Sequence, residues 1–266
     1  MSTTAVNPEI TLARPNAILV YLKETKYEFL KNLRLPVFSV STVLFPVMFY
    51  VLFGLLMGRQ AIGRIGTTTY LIVAYGTFGV MGASLFGTAA GLSTDRKLGW
   101  LDAKKATPMP PSAYFFAKVV MSMMFSAIVV LLLLFLGFTF GGVHLTAPVT
   151  LKLLFTLIAG SLPFCAMGLA IGYLATPTSA PAVINIFYVP MSFCSGLWIP
   201  FMFLPHFIQR IAFYLPPYHL ARLAFGVVGL ESGIPAVKHF EALIGLAMIS
   251  LGIAWAGYHR DQRTNG

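Results

Sequence analysis

Residues 114–140 read YFFAKVVMSMMFSAIVVLLLLFLGFTF and contain a single charged side chain, Lys118. A helix needs about 20 apolar residues to cross roughly 30 Å of hydrocarbon, so this run predicts a membrane-spanning helix. Five other runs are also long enough: 35–57, 69–92, 151–174, 182–203 and 240–257. The sequence therefore predicts an all-α membrane protein with six transmembrane helices, forming one domain over residues 1–266.

The composition excludes an ordinary soluble domain. The chain is 58% hydrophobic and 10% charged, whereas charged residues make up roughly a quarter of a soluble protein. Its net charge of +10 comes from Lys and Arg at the ends of apolar runs, not from a basic face interleaved with aromatics. We therefore expect contact with membrane lipid and none with nucleic acid. Cys165 and Cys194 lie inside apolar runs, where we expect them to be packing residues.

The distribution of basic residues predicts the orientation. Twelve Lys and Arg residues lie in the segments on the same side as the N-terminus, and six lie on the other side. Cytoplasmic segments carry the excess of positive charge, so we expect both termini in the cytoplasm of a multi-pass protein of the bacterial inner (plasma) membrane. The first 34 residues are polar or amphipathic, which does not suggest a cleaved signal peptide.

Two segments are neither spans nor simple loops. In residues 15–33, apolar side chains recur at helical spacing and lysines occupy other faces, which predicts a helix in the inner membrane interface; a solvated leader is the alternative. Residues 204–239 are too apolar for a solvated loop and are cut by Pro216 and Pro217. We expect two short helices of about ten to thirteen residues here, which are too short to cross and should dip into the outer leaflet or lie on it. The candidate outer gate comprises Pro200, Pro205, Pro217 and His219.

The spans lack the groups that ion-driven carriers use. No Asp, Glu, His or Lys lies in the middle third of the first five spans, and Lys118 and Lys152 near span ends are expected to snorkel toward water. The small residues Gly79, Ala83, Gly87 and Gly91, and the pair Gly168 and Gly172, predict close helix packing.

Polar and aromatic residues within the spans are candidates for a substrate pathway. Asn185 in the fifth span is the only carboxamide deep in a span, and it either bonds another helix or contacts substrate. The full candidate set is Tyr50, Asn185, Tyr188, Ser195 and Trp198.

The sequence contains no phosphate-binding GxxxxGK[ST] loop, no HExxH and no GxSxG. If the protein performs a process that requires energy, another chain must therefore supply that energy. A charged segment at residues 95–118, DRKLGWLDAKKATPMPPSAYFFAK, is a candidate contact with such a chain. A turn of charged helix with Leu98, Trp100 and Leu101 ends sharply at Pro108, as a docking element would. Contact with lipid headgroups would explain its basic residues equally well.

This segment resembles the cytoplasmic coupling motif of ABC-2 type ATP-binding cassette permeases. The matching residues are Asp95, Arg96, Lys97, Gly99, Trp100, Leu101, Ala106, Thr107, Pro108 and Lys118. A second stretch, FCSGLWIPFMFLPHFIQRIAFYLPPYHLARLAF at residues 193–225, is similar to the family in its Ser-Gly pair and in Pro200, Pro205, Pro217 and His219.

The resemblance implies the membrane subunit of an exporter with no cofactor of its own. A separate ATPase would bind ATP and Mg and would contact a coupling segment at residues 95–112. The implied coupling residues are Asp95, Arg96, Lys97, Leu98, Trp100, Leu101, Lys104, Lys105 and Pro108. It also implies an interfacial connecting helix at residues 15–33 and short re-entrant helices near the outer face at residues 204–230. A second permease copy, either identical or a sibling chain, is implied as well. Asp95 and Lys97 depart from the family's usual glutamate and acidic residue, which suggests an acidic groove on the partner ATPase.

The apolar spans fit a hydrophobic or amphipathic substrate such as a drug, antibiotic, peptide or lipid. Two other functions are compatible with the sequence. One is a stand-alone secondary carrier, which the lack of mid-span ionisable groups disfavours. The other is a membrane-embedded enzyme that uses His219, Glu231 or His239, although no nucleophile and base occur at a recognisable spacing.

Overall fold

The computed structural model describes residues 16–56, 61–62, 65–105, 107, 109–230 and 233–265, and most of them are helical. Of the residues singled out above, Ala106, Pro108 and Glu231 lie outside these ranges. Two strands, β1 (Ala61–Ile62) and β2 (Ile65–Gly66), pair antiparallel after the first span. The hydropathy pattern does not predict this hairpin, because strands this short show no measurable alternation.

The first helix, α1 (Ala17–Leu33), begins at Asn16, whose side-chain oxygen accepts a hydrogen bond from the Ile18 amide. Ile18 and Leu22 are exposed on its outer face, whereas Glu28 and Asn32 are buried on the inner face. The inner face packs against α6, which is described below. The apolar side chains of the outer face are thus not covered by the other helices in the described part of the chain.

Within the described residues, five helical segments are long and apolar enough to cross a membrane. The first is α2 (Pro36–Phe49), continued by a π-helical turn at Tyr50–Leu56. The second joins α3 (Thr67–Leu85), a π-helical turn at Phe86–Ala90, and α4 (Gly91–Lys97). After the short α5 (Trp100–Lys105), the others are α6 (Pro111–Thr139), α7 (Ala147–Ala159) continued by α8 (Leu162–Leu174), and α12 (Ala236–Asn265). The chain is thus a multi-pass membrane protein.

The predicted fifth span, residues 182–203, is shorter in the structure. The helix α9 (Ala180–Cys194) has 15 residues and is about 22 Å long, less than the hydrocarbon thickness of about 30 Å. It ends because Gly196 adopts a φ of 80° and the Leu197 amide donates to the Ser192 carbonyl, which closes the helix with a Schellman motif. Hydropathy overestimates this helix because the residues after Gly196 are apolar but not helical.

Helix α3 lies at the centre of the bundle, where nearly all of its residues are buried. Small residues let its neighbours approach closely, as the sequence predicts. A Cβ atom at Gly79 would lie 2.5 Å from Val129, and one at Gly168 would lie 1.9 Å from Thr88 Oγ1. Helix α8 thus packs closely against the second span at Gly168, a partner that the sequence does not name.

After α9 the chain forms two short helices, α10 (His206–Ala212) and α11 (Pro216–Val227). Pro216 occupies the first helical position of α11, where its missing amide proton costs nothing. Helix α11 has the predicted length, but α10 has only seven residues. Helix α11 packs on α3, α7, α9 and α12, so most of its side chains are buried.

The bundle has two chemically different ends. We call the end where α1, α4, α5 and the last turns of α8 and α12 meet the charged end. The opposite end carries the β hairpin, α10 and α11. The residues of the predicted coupling segment that the structure describes lie at the charged end, and those of the predicted outer gate lie at the opposite end.

Candidate functional site: a buried charge cluster beneath an exposed turn

Lys118 in α6 is fully buried at the charged end. Its Nζ atom lies 2.8 Å from Glu28 Oε1 in α1 and 2.9 Å from Asp95 Oδ2 in α4. Both carboxylates are also buried. The expectation that Lys118 snorkels to water is therefore wrong: carboxylates from two neighbouring helices supply the partners that water would otherwise provide.

A second lysine completes the cluster. Lys31 Nζ lies 2.6 Å from Asp95 Oδ1 and 3.9 Å from Glu28 Oε2. Two ammonium groups thus face two carboxylates. We call Glu28, Lys31, Asp95 and Lys118 the four-charge cluster. It is formally neutral and joins α1, α4 and α6.

Neutral groups add hydrogen bonds to the two carboxylate oxygens that Lys118 contacts. The Tyr114 hydroxyl donates to Asp95 Oδ2 over 2.8 Å, and the Asn32 amide donates to Glu28 Oε1 over 3.3 Å. Buried ion pairs are tolerated when their lone pairs are satisfied in this way. Burial alone would raise the pKa of Glu28. The positive charges of Lys118 and Lys31 together lower this pKa by more than burial raises it, so the pKa lies below its usual value.

Arg96 ties the same segment to the other side of the bundle. Its guanidinium donates to both carboxylate oxygens of Asp261 in α12, at 2.6 and 3.2 Å. It also donates to the carbonyls of Gly172 and Tyr173 at the end of α8. A planar guanidinium can make all four bonds at once, whereas a lysine ammonium cannot. Asp95 and Arg96 therefore fix the start of the coupling segment to four helices.

The next residues project outward from this fixed base. Gly99 adopts a φ of 71°, which turns the chain between α4 and α5. On either side of this turn, Leu98 is 65% exposed and Trp100 is 58% exposed. Lys97 is exposed as well. We call residues 97–100 the exposed turn.

Helix α5 returns toward the bundle. Leu101 is buried, and Lys104 forms an ion pair with Glu24 of α1 and lies 4.8 Å from the Tyr114 ring centroid. Lys105 also belongs to α5. The predicted coupling residues thus divide into internal anchors and an exposed turn, a division that the sequence does not reveal.

The predicted pathway residues do not form one surface. Tyr188 stacks on Phe78, and its hydroxyl donates to the Phe78 carbonyl over 3.2 Å. Trp198 packs edge-on against the same phenylalanine. Tyr50 and Ser195 are buried elsewhere in the interior, and Asn185 is exposed on the outside of α9.

At the opposite end, the predicted gate residue His219 belongs to a histidine pair. His219 Nδ1 in α11 lies 2.9 Å from His239 Nδ1 in α12, and His219 Nε2 donates to the Phe213 carbonyl. A neutral His219 that donates through Nε2 must accept at Nδ1, so His239 is the donor. Pro200 and Pro205 precede short helical turns, and Pro217 lies in the first turn of α11.

Sequence reasoning missed Glu28, Lys31, Tyr114 and Asp261 as partners of the coupling segment. One signal was present: Glu24, Glu28 and Lys31 recur at helical spacing in a helix that was expected to lie at the same membrane face as residues 95–118. The pairing itself depends on which helix α1 packs against, and no local pattern encodes that.

Comparison with known proteins agrees with this architecture. The family model described as ABC-2 type transporter matches residues 23–228. The chain is also 24% identical over 230 residues to "Putative transport permease YvfS" of Bacillus subtilis (strain 168), an alignment that covers 86% of this chain and 93% of that protein. The residues matched by the family model include α1 from Lys23 onward, the four-charge cluster, the exposed turn and all of α11. The chain belongs to the ABC-2 type transporter family as a membrane permease.

Proposed function

We propose that this permease is the membrane subunit of an ATP-driven exporter and that the exposed turn contacts a separate ATPase chain. The observation that supports the proposal most directly is that ion pairs attach the exposed turn to several helices of the bundle. Leu98 and Trp100 are exposed apolar side chains beside Asp95 and Arg96, and the ion pairs of those two residues reach α1, α6 and α12. A force applied at the turn would therefore be transmitted to the spans.

ATP and Mg would be bound by the partner and not by this chain. Closure of two ATPase subunits on ATP would displace the exposed turn and α1 together, because the four-charge cluster joins them. Differential contact of the ATPase with two arrangements of the spans would then bias the equilibrium between them. The basic residues of the turn and of α5 favour an acidic docking groove on the ATPase.

A second permease copy would complete the transport pathway. The exposed face of α9 carries Asn185 among the apolar side chains Ile186 and Val189. A carboxamide facing lipid lacks partners for its hydrogen bonds, so a neighbouring chain or a substrate would stabilise it. A hydrophobic or amphipathic substrate fits the apolar character of the spans, and its direction of transport would be out of the cytoplasm.

Site-specific cross-linking tests the ATPase contact. A cysteine at Leu98 or at Trp100 is introduced after Cys165 and Cys194 have been replaced by alanine, and a cysteine at the exposed Val237 near the opposite end serves as the control. We expect the first two positions to capture a nucleotide-binding chain in native membranes and Val237 to capture none. Failure at both positions of the turn would contradict the proposal.

A further inference from the structure

The outer face of α1 carries cations that the four-charge cluster does not use. Lys23 and Lys26 are exposed there, as is Arg34 at the end of the helix. In contrast to Lys31, these three side chains form no ion pair and no side-chain hydrogen bond with the residues that the structure describes. Three positive charges on this face therefore have no partner in the described part of the chain.

The charged residues of α1 are separated by face. Its two carboxylates, Glu24 and Glu28, lie one helical turn apart, and each pairs with a lysine of another helix. Glu24 pairs with Lys104 of α5, and Glu28 pairs with Lys118 of α6. Both acidic groups of the helix are thus neutralised from within the bundle and do not balance the cations of the outer face.

Apolar side chains share the outer face with the cations. A stripe with the i, i+3, i+7 and i+14 spacing of one helix face comprises Leu19, Leu22, Lys26 and Leu33. Its three leucines are 48%, 62% and 47% exposed. Lys23 and Arg34 lie along one edge of the stripe, about three helical turns apart. A ligand on this face would therefore meet apolar and cationic groups together.

The chain itself brings this face to the membrane. Helix α1 ends at Leu33, and the first membrane-spanning segment begins at Pro36. The last turn of α1 must therefore lie close to the bilayer surface. An acidic protein would complement the cations but would leave the leucines without an apolar partner, whereas an anionic leaflet offers phosphate groups and acyl chains side by side.

We propose that the outer face of α1 binds anionic phospholipid selectively, with Lys23, Lys26 and Arg34 contacting headgroup phosphates and the leucines of the stripe contacting acyl chains. A helix that only rests in the membrane interface would not distinguish lipids by their charge. Glu28 and Lys31 of the same helix belong to the four-charge cluster, so the bound lipid would also stabilise the position of α1 beside α4 and α6. This binding does not depend on the ATPase.

Native mass spectrometry of the purified permease tests this selectivity without any ATPase. The detergent-solubilised protein is mixed with equal amounts of anionic phosphatidylglycerol and zwitterionic phosphatidylcholine, and the retained lipids are counted. Each basic residue near an anionic surface raises affinity about fivefold, so we expect the wild type to prefer phosphatidylglycerol at least about tenfold. The triple variant Lys23→Gln/Lys26→Gln/Arg34→Gln should lose most of this preference.

A matched triple variant removes exposed cations near the opposite end, Lys152→Gln/Arg210→Gln/Lys238→Gln, and should keep the preference. Equal retention of the two lipids by the wild type would overturn the proposal, and so would equal losses in the two triple variants. If the α1 variant kept its lipid preference but lost the cross-link from Leu98 to the ATPase, the face would be a protein contact and the proposal would be wrong. Matching unfolding temperatures without added lipid confirm that both variants are folded.

A spin label locates the stripe relative to the bilayer. Leu22→Cys is labelled after Cys165 and Cys194 have been replaced by alanine, and the protein is placed in phosphatidylglycerol vesicles. We expect the label to be accessible to dissolved oxygen and shielded from a water-soluble nickel chelate. Full access of the chelate would show that the outer face of α1 is solvated, which would exclude lipid as its ligand.

Discussion

Lys118 Nζ in α6 lies 2.8 Å from Glu28 Oε1 in α1, although 90 residues separate them in the chain. This ion pair joins α1 to a membrane span, and Asp95 extends it to the segment that we propose contacts the ATPase. The connection is formed by ion pairs shielded from water, so the ionic strength of the medium should affect it little.

Replacement of Lys118 by methionine should strongly destabilise the protein. The change leaves Glu28 and Asp95 buried with only Lys31 to balance them. Removal of one partner of a buried pair typically costs about 3–5 kcal/mol, and we expect a loss of this size in the free energy of unfolding, measured by denaturant titration in micelles. The double variant Glu28→Gln/Lys118→Met keeps the Lys31 to Asp95 pair and should recover part of the loss. Equal stability of the single variant and the wild type would exclude a structural role for the cluster.

Acid should weaken the same cluster. The pKa of Glu28 is lowered from 4.5, because Lys118 and Lys31 outweigh the effect of burial. The unfolded chain then binds more protons than the folded chain, so this contribution to stability is present above about pH 4.5 and is lost as the pH falls below it. Unfolding temperatures measured between pH 7 and pH 3 should fall less steeply in Glu28→Gln. Parallel curves for the two proteins would refute this assignment.

Arg96→Lys should loosen the end of α12 even though it keeps the positive charge. Lysine cannot bond both oxygens of Asp261 and two carbonyls together. Charge-assisted hydrogen bonds contribute about 1.5–3 kcal/mol each, so we expect faster amide exchange in the last turns of α12 and at residues 172–174. Arg263→Lys changes an exposed arginine on the same helix and should leave exchange unaltered. Identical exchange in both variants would mean that Arg96 does not fix this end.

Gly168→Ala tests the close approach of α8 to the second span. The added Cβ would lie 1.9 Å from Thr88 Oγ1 and 3.2 Å from the Leu85 and Ser84 carbonyls, so the helices would have to separate. Overpacking of this kind costs about 1–3 kcal/mol of unfolding free energy. Gly252→Ala in α12 meets no atom within 4 Å and is the matched control. A neutral or stabilising effect of Gly168→Ala would contradict the packing.

The histidine pair predicts a pH response at the opposite end. Burial lowers the pKa of His219 from 6.5, so the unfolded state takes up protons first as the pH falls. Stability of the contact between α11 and α12 should therefore decrease below about pH 6.5, where protonation of His219 would also remove the Nδ1 acceptor that His239 bonds. The protection factors of the α11 amides, which are corrected for the intrinsic pH dependence of exchange, should fall between pH 7 and pH 5, and His219→Gln should reduce that fall. If amide protection in α11 of the wild type did not depend on pH, the predicted role of the histidine pair would be contradicted.

The sequence by itself determined the membrane class, the placement of most spans and the resemblance to a family. Each of these depends on residues that are close together in the chain. The backbone of an apolar run such as 114–140 must satisfy its hydrogen bonds within a helix, because lipid offers no partners. The family motif at residues 95–118 is likewise a pattern of neighbouring residues. The end of α9 could not be predicted in this way, because the turn at Gly196 ends the helix while the run of apolar residues continues.

Only the tertiary structure decided which charged residues act together. Lys118 looks like a span-end lysine in the sequence, but the packing of α1 and α4 against α6 places two carboxylates beside it. Arg96 meets Asp261 only because α12 returns to the charged end. Hydropathy is a property of neighbouring residues, whereas an ion pair between helices depends on their relative positions. The separation of Asp95 and Arg96 as internal anchors from Leu98 and Trp100 as an exposed surface therefore required the fold.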